Sequence, residues 1–568
     1  MVCSQSSPAE DDASGDGFDT TTIVDWADKE GQGKPAKRVE RDGVRISWKG
    51  FVWSLDGISE RELLEQEAQR IAAGGSVDHR RYLGTYAIEI TERKLARTSI
   101  FVDSTAIFAL FRCGDRLSTS FLDLATSMGM SGADLDMVGV AQFILSRGLH
   151  EGRTLLKGIS RLGPDDVIVV EKGTTRLEKK MSESPTDAGN GFDEAMTALS
   201  RALRGHKVAV DLTGGLDSRL LFAALGSKGA DFEVGLSGNE KFREFAIAET
   251  VARAGGKSIN RMIHKVGEFD AQSMDALLGA TDAIVDVVRY HRCEQLARSR
   301  EERGIEVSLA GDGGECVRDG WWQQDLPLYA SRFVRMRRFV RFNVLSAGAY
   351  GSAVEIVGPG LREAMTGLED RLCKHFERFR RPTNTATYDD IVYEDVAGGR
   401  YGVFATRSSQ FVPMLFPYFD PPVKTYCRNL KARVRLFGIQ QRRLIGAYAP
   451  AVAACPTNYG TTASPRVMAI LMDVIPTFVE RLKRYLTYRL RPATMKSGAE
   501  DRPDDPNLIP SMKKAAGEMD LQSWLHRSGM LLPTKSLADI PTGMLGGFIT
   551  VGLLVRRLES AGARNSAN

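Results

Sequence analysis

The segment VAVDLTGGLDSRLLFAAL, residues 208–225, constrains the fold of this chain more than any other stretch. Its first residues, 208–212, are mostly apolar and predict a buried strand of a parallel sheet. A short polar loop follows, and an apolar helix begins directly after it. Glycines in such a loop let backbone N–H groups approach a ligand, and the N-terminus of a helix carries partial positive charge. The segment therefore predicts an anion site where a strand meets a helix.

The side chains of this loop suit a ligand that carries phosphate. Thr213 and Ser218 supply hydroxyl donors, and Gly214 and Gly215 allow close approach of the backbone. Asp217 supplies a carboxylate that can hold a Mg²⁺ ion between phosphates. The Walker pattern is excluded because no Gly-Lys-Ser/Thr follows the loop. The alternative interpretation is a glycine turn that joins a strand to a helix without binding anything.

A second loop of the same kind, GDGGE at residues 311–315, follows the apolar run IEVSLA. In doubly wound sheets, ligands gather at the carboxyl ends of the strands. We therefore expect Asp217 and Glu315 to share one Mg²⁺ ion with a pyrophosphate group, because two carboxylates and substrate phosphates suit this cation. Taken alone, GDGG would be interpreted as a turn exposed to solvent.

Composition narrows the class of protein. A length of 568 residues predicts two or three domains, and the net charge of +4 is too small to indicate a nucleic-acid partner. Seven cysteines without a CxxC pair indicate a reduced, cytoplasmic protein, and the seven dispersed histidines give no zinc pattern. The longest apolar run, residues 543–555, is too short to span a bilayer. It predicts a buried C-terminal helix, so we expect no membrane partner.

The pattern of polar and apolar residues divides the chain into four parts. The first is rich in Ser, Asp, Gly and Lys and is expected to be disordered or loosely attached. Short apolar strands follow, and after a polar linker helices alternate with strands, which is typical of a parallel sheet covered on both faces. The parts are residues 1–42 (arm), 43–175 (β-rich domain with helices at Glu60–Ala72 and Asp136–Leu145), 176–192 (linker) and 193–560 (α/β domain with a mobile loop at about 491–507).

TGGLDS followed by GDGGE resembles the asparagine synthetase superfamily, whose synthetase domain carries SGGLDS and then GDGxDE. FEVGLSG, residues 232–238, is similar to the strand that borders the adenine in that family, and PYFD, residues 417–420, to its PFLD. The resemblance implies a PP-loop ATP pyrophosphatase fold with a helical C-terminal part, and ATP and Mg²⁺ as ligands. The implied ATP- and pyrophosphate-binding residues are Leu212, Thr213, Gly214, Gly215, Asp217, Ser218, Arg219, Leu236, Ser237 and Gly311, and the implied metal ligands are Asp217 and Glu315.

The N-terminal half resembles the glutaminase domain of the same family, an α+β fold of the Ntn-hydrolase type. The similar pieces are LGTYAIEI, VDSTAIFALF, LSTSFLDLA and TLLKGISRLGPDDVIVV. The family's nucleophile is a cysteine at residue 2, whereas this chain begins Met1-Val2-Cys3. The family's Asn-Gly-Glu has no counterpart in VWSLDG, and Asp103 alone does not make a site. We therefore expect this domain to be degenerate and glutamine hydrolysis to be absent.

The synthetase half also departs from the family pattern. Arg219 stands where a small residue is usual, so it either adds a guanidinium to the pyrophosphate or lies on the helix surface. Glu315 and Cys316 replace the Asp and Glu of GDGxDE. The family's catalytic lysine has no clear match, and Arg442 falls nearest to it, with Arg443 beside it. Arginine keeps the charge but not the point geometry of lysine. The alternative is that both arginines line a helix surface.

Together these features predict an ATP-dependent ligase that forms an amide bond. A substrate carboxylate would attack the α-phosphorus of ATP, pyrophosphate would leave, and an amine would displace AMP from the acyl-adenylate. Asp312 would accept the amine proton, and Arg442 would stabilise negative charge. The expected amine is ammonia, an external amine or an amine of the substrate itself. The last case would make the protein a peptide or small-molecule cyclase of natural product biosynthesis, which could act with a partner protein of its pathway. The alternatives are a glutamine- or ammonia-dependent asparagine synthetase and a non-catalytic nucleotide-binding relic.

Overall fold

The computed structural model describes residues 24–26, 34–146, 148–180, 191–238, 244–263, 267–318, 328–345, 354–458, 460–476, 479 and 507–565. The α/β class is confirmed, since the chain combines many helices with several sheets, one of them parallel. The strands of the described residues are β1 (Val24–Asp25), β2 (Lys37–Arg41), β3 (Val44–Trp53), β4 (Leu83–Glu92), β5 (Arg97–Val102), β6 (Phe111–Cys113), β7 (Arg116–Ser118), β8 (Ser160–Arg161), β9 (Asp166–Glu171), β10 (Thr174–Lys179), β11 (Val208–Asp211), β12 (Glu233–Gly238), β13 (Ile259–Ile263), β14 (Val307–Leu309) and β15 (Met414–Leu415).

Helices fill most of the remaining chain. The α-helices of the described residues are α1 (Glu60–Ala72), α2 (Phe121–Ser127), α3 (Met137–Ser146), α4 (Gly191–Ala202), α5 (Leu216–Ser227), α6 (Glu244–Ala254), α7 (Ala271–Thr281), α8 (Val287–Glu302), α9 (Glu315–Arg318), α10 (Met336–Phe339), α11 (Pro359–Thr366), α12 (Leu368–Phe376), α13 (Asn384–Ile391), α14 (Gly402–Ser408), α15 (Pro421–Asn429), α16 (Ala432–Arg435), α17 (Ile439–Tyr448), α18 (Pro450–Ala453), α19 (Leu508–Glu518), α20 (Leu521–Arg527) and α21 (Thr542–Asn565). Residues 467–476 are also helical, and Val392–Tyr401 forms a π-helix.

The N-terminal part contains two sheets of mostly antiparallel strands. The larger has the order β10-β9-β5-β4-β3-β2, and the smaller has the order β1-β7-β6-β8. The predicted helix Glu60–Ala72 has the same bounds in the structure and begins at Ser59, whose side chain accepts a hydrogen bond from the Glu62 amide. Its buried face, which includes Leu64 and Ile71, packs in one apolar cluster with the larger sheet.

Two of the sequence-based boundaries are corrected. Part of the expected arm, residues 1–42, belongs to the sheets, because Val24 and Trp26 are buried and Lys37–Arg41 pairs with β3. The first residues of the expected linker, 176–192, continue strand β10, which pairs with β9. The remaining arm residues, linker residues 181–190 and loop residues 491–506 lie outside the described residues.

The C-terminal part is built on a parallel sheet with the order β13-β12-β11-β14-β15. Strands β11 and β14, which precede the two glycine loops, are neighbours in the middle of this sheet and pair in register, with Val210 opposite Leu309. Both loops therefore leave the same edge of the sheet side by side. The predicted helix over residues 543–555 is confirmed as part of α21, whose apolar residues are buried. Among the described helices, none has the length and apolarity needed to cross a membrane.

The two parts of the chain share one continuous apolar core. The π-helix and the residue after it pack tightly on the N-terminal part at three glycines. A Cβ atom on Gly398, Gly399 or Gly402 would collide with the carbonyl oxygen of Ala106, Leu149 or Ile107, respectively. Such close approach requires glycine, because any side chain would separate the two backbones.

A buried carboxyl group joins the same two parts. Asp420, the last residue of PYFD, accepts a hydrogen bond of 2.6 Å at Oδ1 from the Gly84 amide of β4 and is 4% exposed. Burial raises the pKa of Asp420 to about 8, and the nearby Asp103 carboxyl adds to the shift. Because this pKa lies far above its unfolded value, the neutral acid is the form that the folded chain favours.

We predict that Asp420→Asn becomes more stable than the natural chain as the pH rises. An ionisable Asp420 lowers the free energy of unfolding at any pH above its unfolded pKa of about 4. This loss grows by up to about 1.4 kcal/mol per pH unit until the pH reaches the folded pKa, and above that pH it stays constant. Urea unfolding at pH 5, 7 and 9 measures the difference. The exposed Asp231 provides the control variant Asp231→Asn. If the difference in unfolding free energy between Asp420→Asn and the natural chain does not change with pH, Asp420 is not held as the neutral acid.

Candidate functional site

The loop between β11 and α5 folds around its own hydroxyl groups. The Ser218 hydroxyl accepts a hydrogen bond from the Thr213 amide at 3.0 Å and lies 3.0 Å from the Thr213 hydroxyl. The Thr213 hydroxyl accepts from the Gly215 amide at 3.2 Å. Gly215 is the N-cap of α5, and no described side chain caps this helix. The first turn of α5 thus keeps backbone donors for a ligand, as a phosphate site requires.

The second loop lies directly against the first. A Cβ atom on Gly311 would stand 2.5 Å from the Ser218 Cα, and a Cβ atom on Gly314 would stand 2.6 Å from the Asp217 Cβ. Real Cβ atoms do not come this close to their neighbours, so both positions require glycine. The sequence GDGG is therefore explained by the contact between the two loops, and the expectation that they meet at one edge of the sheet is confirmed.

Asp217 is held from three directions. Its carboxylate accepts from the Arg318 guanidinium at 3.0 and 3.2 Å and from the Gln441 side-chain amide at 2.5 Å. Its backbone carbonyl accepts from the Tyr418 hydroxyl at 2.8 Å. Gln441 also donates to the Gly314 carbonyl at 3.1 Å and so bridges the two loops. The bidentate geometry of Arg318 fixes the carboxylate as well as balancing its charge.

Four carboxyl groups lie around the two loops. The Asp312 side chain is exposed to solvent, and Glu315 accepts from the Tyr401 hydroxyl at 2.9 Å. Loss of water around the carboxyl group and the neighbouring carboxylates of Glu315, Asp211 and Asp217 together raise the pKa of Asp312 to about 7. A carboxyl group with this pKa is partly ionised near neutral pH and can exchange a proton there.

The carboxyl groups around the two loops carry charge that is only partly balanced. Repulsion from Asp217 and Glu315 contributes to the raised pKa of Asp312, and a cation would relieve that repulsion. In the described parts of the chain, no group of three His, Cys, Asp or Glu residues is arranged to enclose a metal ion. The donors present are oxygens, which Mg²⁺ prefers while it keeps several waters and binds phosphate oxygens.

Arg219 lies behind the loop and not at its mouth. The side chain is completely buried, and its guanidinium donates to the carbonyls of Cys455 and Pro456, at 3.0 and 2.6 Å, and of Gly214 at 3.3 Å. Burial lowers its pKa to about 10. The surface alternative is therefore wrong, and the donors that were expected to face pyrophosphate hold the backbone of residues 455–456 against the glycine loop.

Arg442 is also turned inward. It is 2% exposed, forms an ion pair with Asp473 and donates to the Thr462 carbonyl at 2.6 Å. The surface alternative is wrong for Arg442, because Asp473 and the backbone after residue 457 enclose it, whereas Arg443 is exposed. The positive charge that contacts the two loops belongs to Arg318. Arg318 follows Glu315 by one helical turn, and this spacing is visible in the sequence.

The remaining predicted residues border the loop on the sheet. The Leu212 amide donates to the Gly235 carbonyl at 3.0 Å, Leu236 is buried, and Ser237 is half-buried near the end of β12. Sequence reasoning missed two residues here. Glu244 accepts a hydrogen bond of 2.7 Å from the side chain of Asn458, whose Oδ1 atom lies where a Cβ atom of Gly214 would be. No local sequence signal brings residue 458 to this loop.

The chain was compared with known proteins. No protein-family model matches it, and no curated protein matches it.

We predict that Arg219→Lys lowers the free energy of unfolding by roughly 2 kcal/mol, because one ammonium cannot serve three carbonyls as the planar guanidinium does. Guanidinium chloride unfolding measures the change. Arg253 on α6 is exposed, so Arg253→Lys serves as the control, with an effect within about 0.5 kcal/mol. Equal effects of the two substitutions would contradict the anchoring role of Arg219.

Proposed function

We propose that this protein is an ATP-dependent ligase of the asparagine synthetase type, which adenylates a carboxylate and transfers the acyl group to an amine. The observation that carries the proposal is the direct packing of the TGGLDS loop on the GDGGE loop, with Asp217, Asp312 and Glu315 around the contact. A phosphate site at a helix N-terminus beside several carboxylates is the arrangement that a Mg²⁺–pyrophosphate product needs.

The proposal gives each group at the loops a role. The first turn of α5 and the hydroxyls of Thr213 and Ser218 would bind the β- and γ-phosphates of ATP. Asp217 and Glu315 would hold Mg²⁺, which would neutralise charge on the leaving pyrophosphate. Arg318 pairs with Asp217 at the two loops and is 39% exposed, so it would stabilise the same charge. Arg442, first expected in this role, is buried and paired with Asp473. Asp312 would accept the proton of the attacking amine.

The broader architecture supports the same proposal. The order of the parallel sheet places β11 and β14 together and puts β12, the strand expected to border adenine, on the other side of β11. The N-terminal sheets are compatible with a glutaminase-like domain, for which we propose no glutamine hydrolysis. The proposed nitrogen source is therefore ammonia or an amine, including an amine within the substrate.

We predict that Asp217→Asn reduces pyrophosphate release from ATP and Mg²⁺ by on the order of 10²-fold, because it removes a ligand of the Mg²⁺ that would neutralise the leaving group. The measurement is pyrophosphate release and isotope exchange between pyrophosphate and ATP across a panel of carboxylic acids and peptides. Asp370, an exposed residue paired with Arg337, gives the control Asp370→Asn. Lack of release and exchange with every acid tested would contradict the ligase and favour a nucleotide-binding relic.

We also predict that the rate of amide formation rises with pH through a midpoint at or below about 7, because bound Mg²⁺ would relieve part of the repulsion that raises the pKa of Asp312 to about 7. Asp312 is protonated below its raised pKa and ionised above it, so its capacity to accept a proton increases as the pH rises. Rates from pH 5.5 to 8.5, at saturating ATP and amine, test this. Asp312→Asn is expected to be slow and to lack the midpoint. A midpoint that persists unchanged in Asp312→Asn would assign the titration to another group.

A further inference from the structure

Two segments of the C-terminal part are strongly basic. Residues 328–341 contain five arginines, residues 424–435 contain five lysines and arginines, and neither segment contains Asp or Glu. Carboxylates of neighbouring helices balance part of this charge, as in the buried ion pair of Arg435 with Asp389 of α13. The remaining cations decide what the surface of this region can bind.

Five cations of this region carry charge that no described carboxylate balances. Arg335 is half-buried and the other four are exposed, and none of the five forms an ion pair with a described residue; they are Arg332, Arg335, Arg378, Lys431 and Arg433. A cation of this kind keeps its charge available to a ligand in solution.

Hydrogen bonds hold the segments that carry these cations against one another. The Tyr329 hydroxyl donates to the Ala432 carbonyl at 2.9 Å, and the Asn384 backbone amide donates to the Ser331 carbonyl at 2.8 Å. Each of the five cations lies close in sequence to one of these contacts, so they stand on adjoining parts of the molecule. Together these five residues form the basic surface.

The basic surface leads to the two glycine loops. The chain that carries Lys431 and Arg433 continues to Gly438, where a Cβ atom would stand 3.3 Å from Leu216 Cδ1 and 3.6 Å from Arg318 Cβ. Arg318 pairs with Asp217 at the loops and is 39% exposed. An extended ligand on the basic surface can therefore reach the loops with one of its ends.

The chemistry of the basic surface fits a peptide that carries several carboxylates. A guanidinium binds a carboxylate with two parallel hydrogen bonds. Phe333 lies beside Arg332, with its ring centre 5.5 Å from the guanidinium carbon, and is 54% exposed. Aromatic and arginine side chains are the types that most often anchor protein partners. A nucleic acid would match the charge, but it would bring no carboxylate to the loops.

We infer that the carboxylate substrate is an acidic peptide, which binds the basic surface through Asp and Glu side chains and presents one carboxyl group to the glycine loops. The inference rests on the proposed function, because it takes the loops to be the site of adenylation. Arg332 and Arg433 are then specificity-determining residues that act on substrate binding and not on the chemical step. Because the surface is exposed, salt weakens the binding.

The test measures binding and turnover of two synthetic peptides by the full-length protein. One peptide alternates Glu with Gly, the other alternates Gln with Gly, and both carry the same fluorescent label. We expect fluorescence anisotropy to show that the Glu peptide binds on the order of tenfold more tightly, and that this difference shrinks as NaCl is added. With Mg²⁺ and ATP, we expect the Glu peptide to support pyrophosphate release.

The double variant Arg332→Glu/Arg433→Glu reverses two charges of the basic surface. We expect it to bind the Glu peptide on the order of tenfold more weakly. In pyrophosphate-release assays the KM for this peptide should rise by a similar factor, while kcat and the KM for ATP do not change. A purely structural defect would lower kcat and the melting temperature as well.

A matched control places the same charge change elsewhere. Arg204 and Arg253 are exposed, form no ion pair with a described residue and come before β11 and β13, near the edge of the sheet opposite to the two loops. Unchanged affinity of Arg204→Glu/Arg253→Glu for the Glu peptide supports the inference, whereas equal weakening in both double variants overturns it.

Three further outcomes separate the inference from the proposed function. Tighter binding of a uridine oligonucleotide than of the Glu peptide overturns the inference. Pyrophosphate release with small carboxylic acids but not with the Glu peptide also overturns it, and in both cases the proposed function stands. If the natural chain releases no pyrophosphate with any acid or peptide, the proposed function fails and the substrate assignment fails with it.

Discussion

The contact between the two glycine loops is the constraint on which the site depends. Gly311 and Gly314 let the second loop rest on Ser218 and Asp217 at distances that no side chain permits. That contact exists because β11 and β14 are neighbours in a parallel sheet, so that their loops emerge together. It brings carboxyl groups from two distant segments together, and loss of water with their repulsion raises the pKa of Asp312 to about 7. The electrostatics of the site therefore follow from backbone packing.

Local patterns predicted this contact, because each loop is a short stretch with its own signature. Residues 208–225 contain a buried strand, two glycines and the start of a helix, and the second loop has the same order of features. The predicted helix Glu60–Ala72 has the same bounds in the structure for a similar reason, since its apolar spacing is a local signal. The general rule that ligands gather where parallel strands end then joined the two loops.

Pairings between distant residues could not be predicted in this way. Arg219 and Arg442 were assigned to the ligand because they are cations near the motifs, yet Cys455, Pro456 and Asp473 hold them in the interior. Arg318 and Gln441 reach Asp217 from 101 and 224 residues away. The sequence identifies a charge but not its partner, because the partner is set by the packing of α5, α9 and α17. The arm and linker boundaries were wrong for a related reason: short edge strands such as β1 take their order from neighbouring strands.

The π-helix connects the N-terminal part to the site by packing, without any chemistry in the N-terminal sheets themselves. Its glycines sit against backbone carbonyls of the N-terminal part, and its last residue, Tyr401, donates to Glu315. A change in how the N-terminal part packs would be transmitted through about one turn of helix to a carboxylate beside the glycine loops. The N-terminal half therefore supports the position of Glu315 through packing alone.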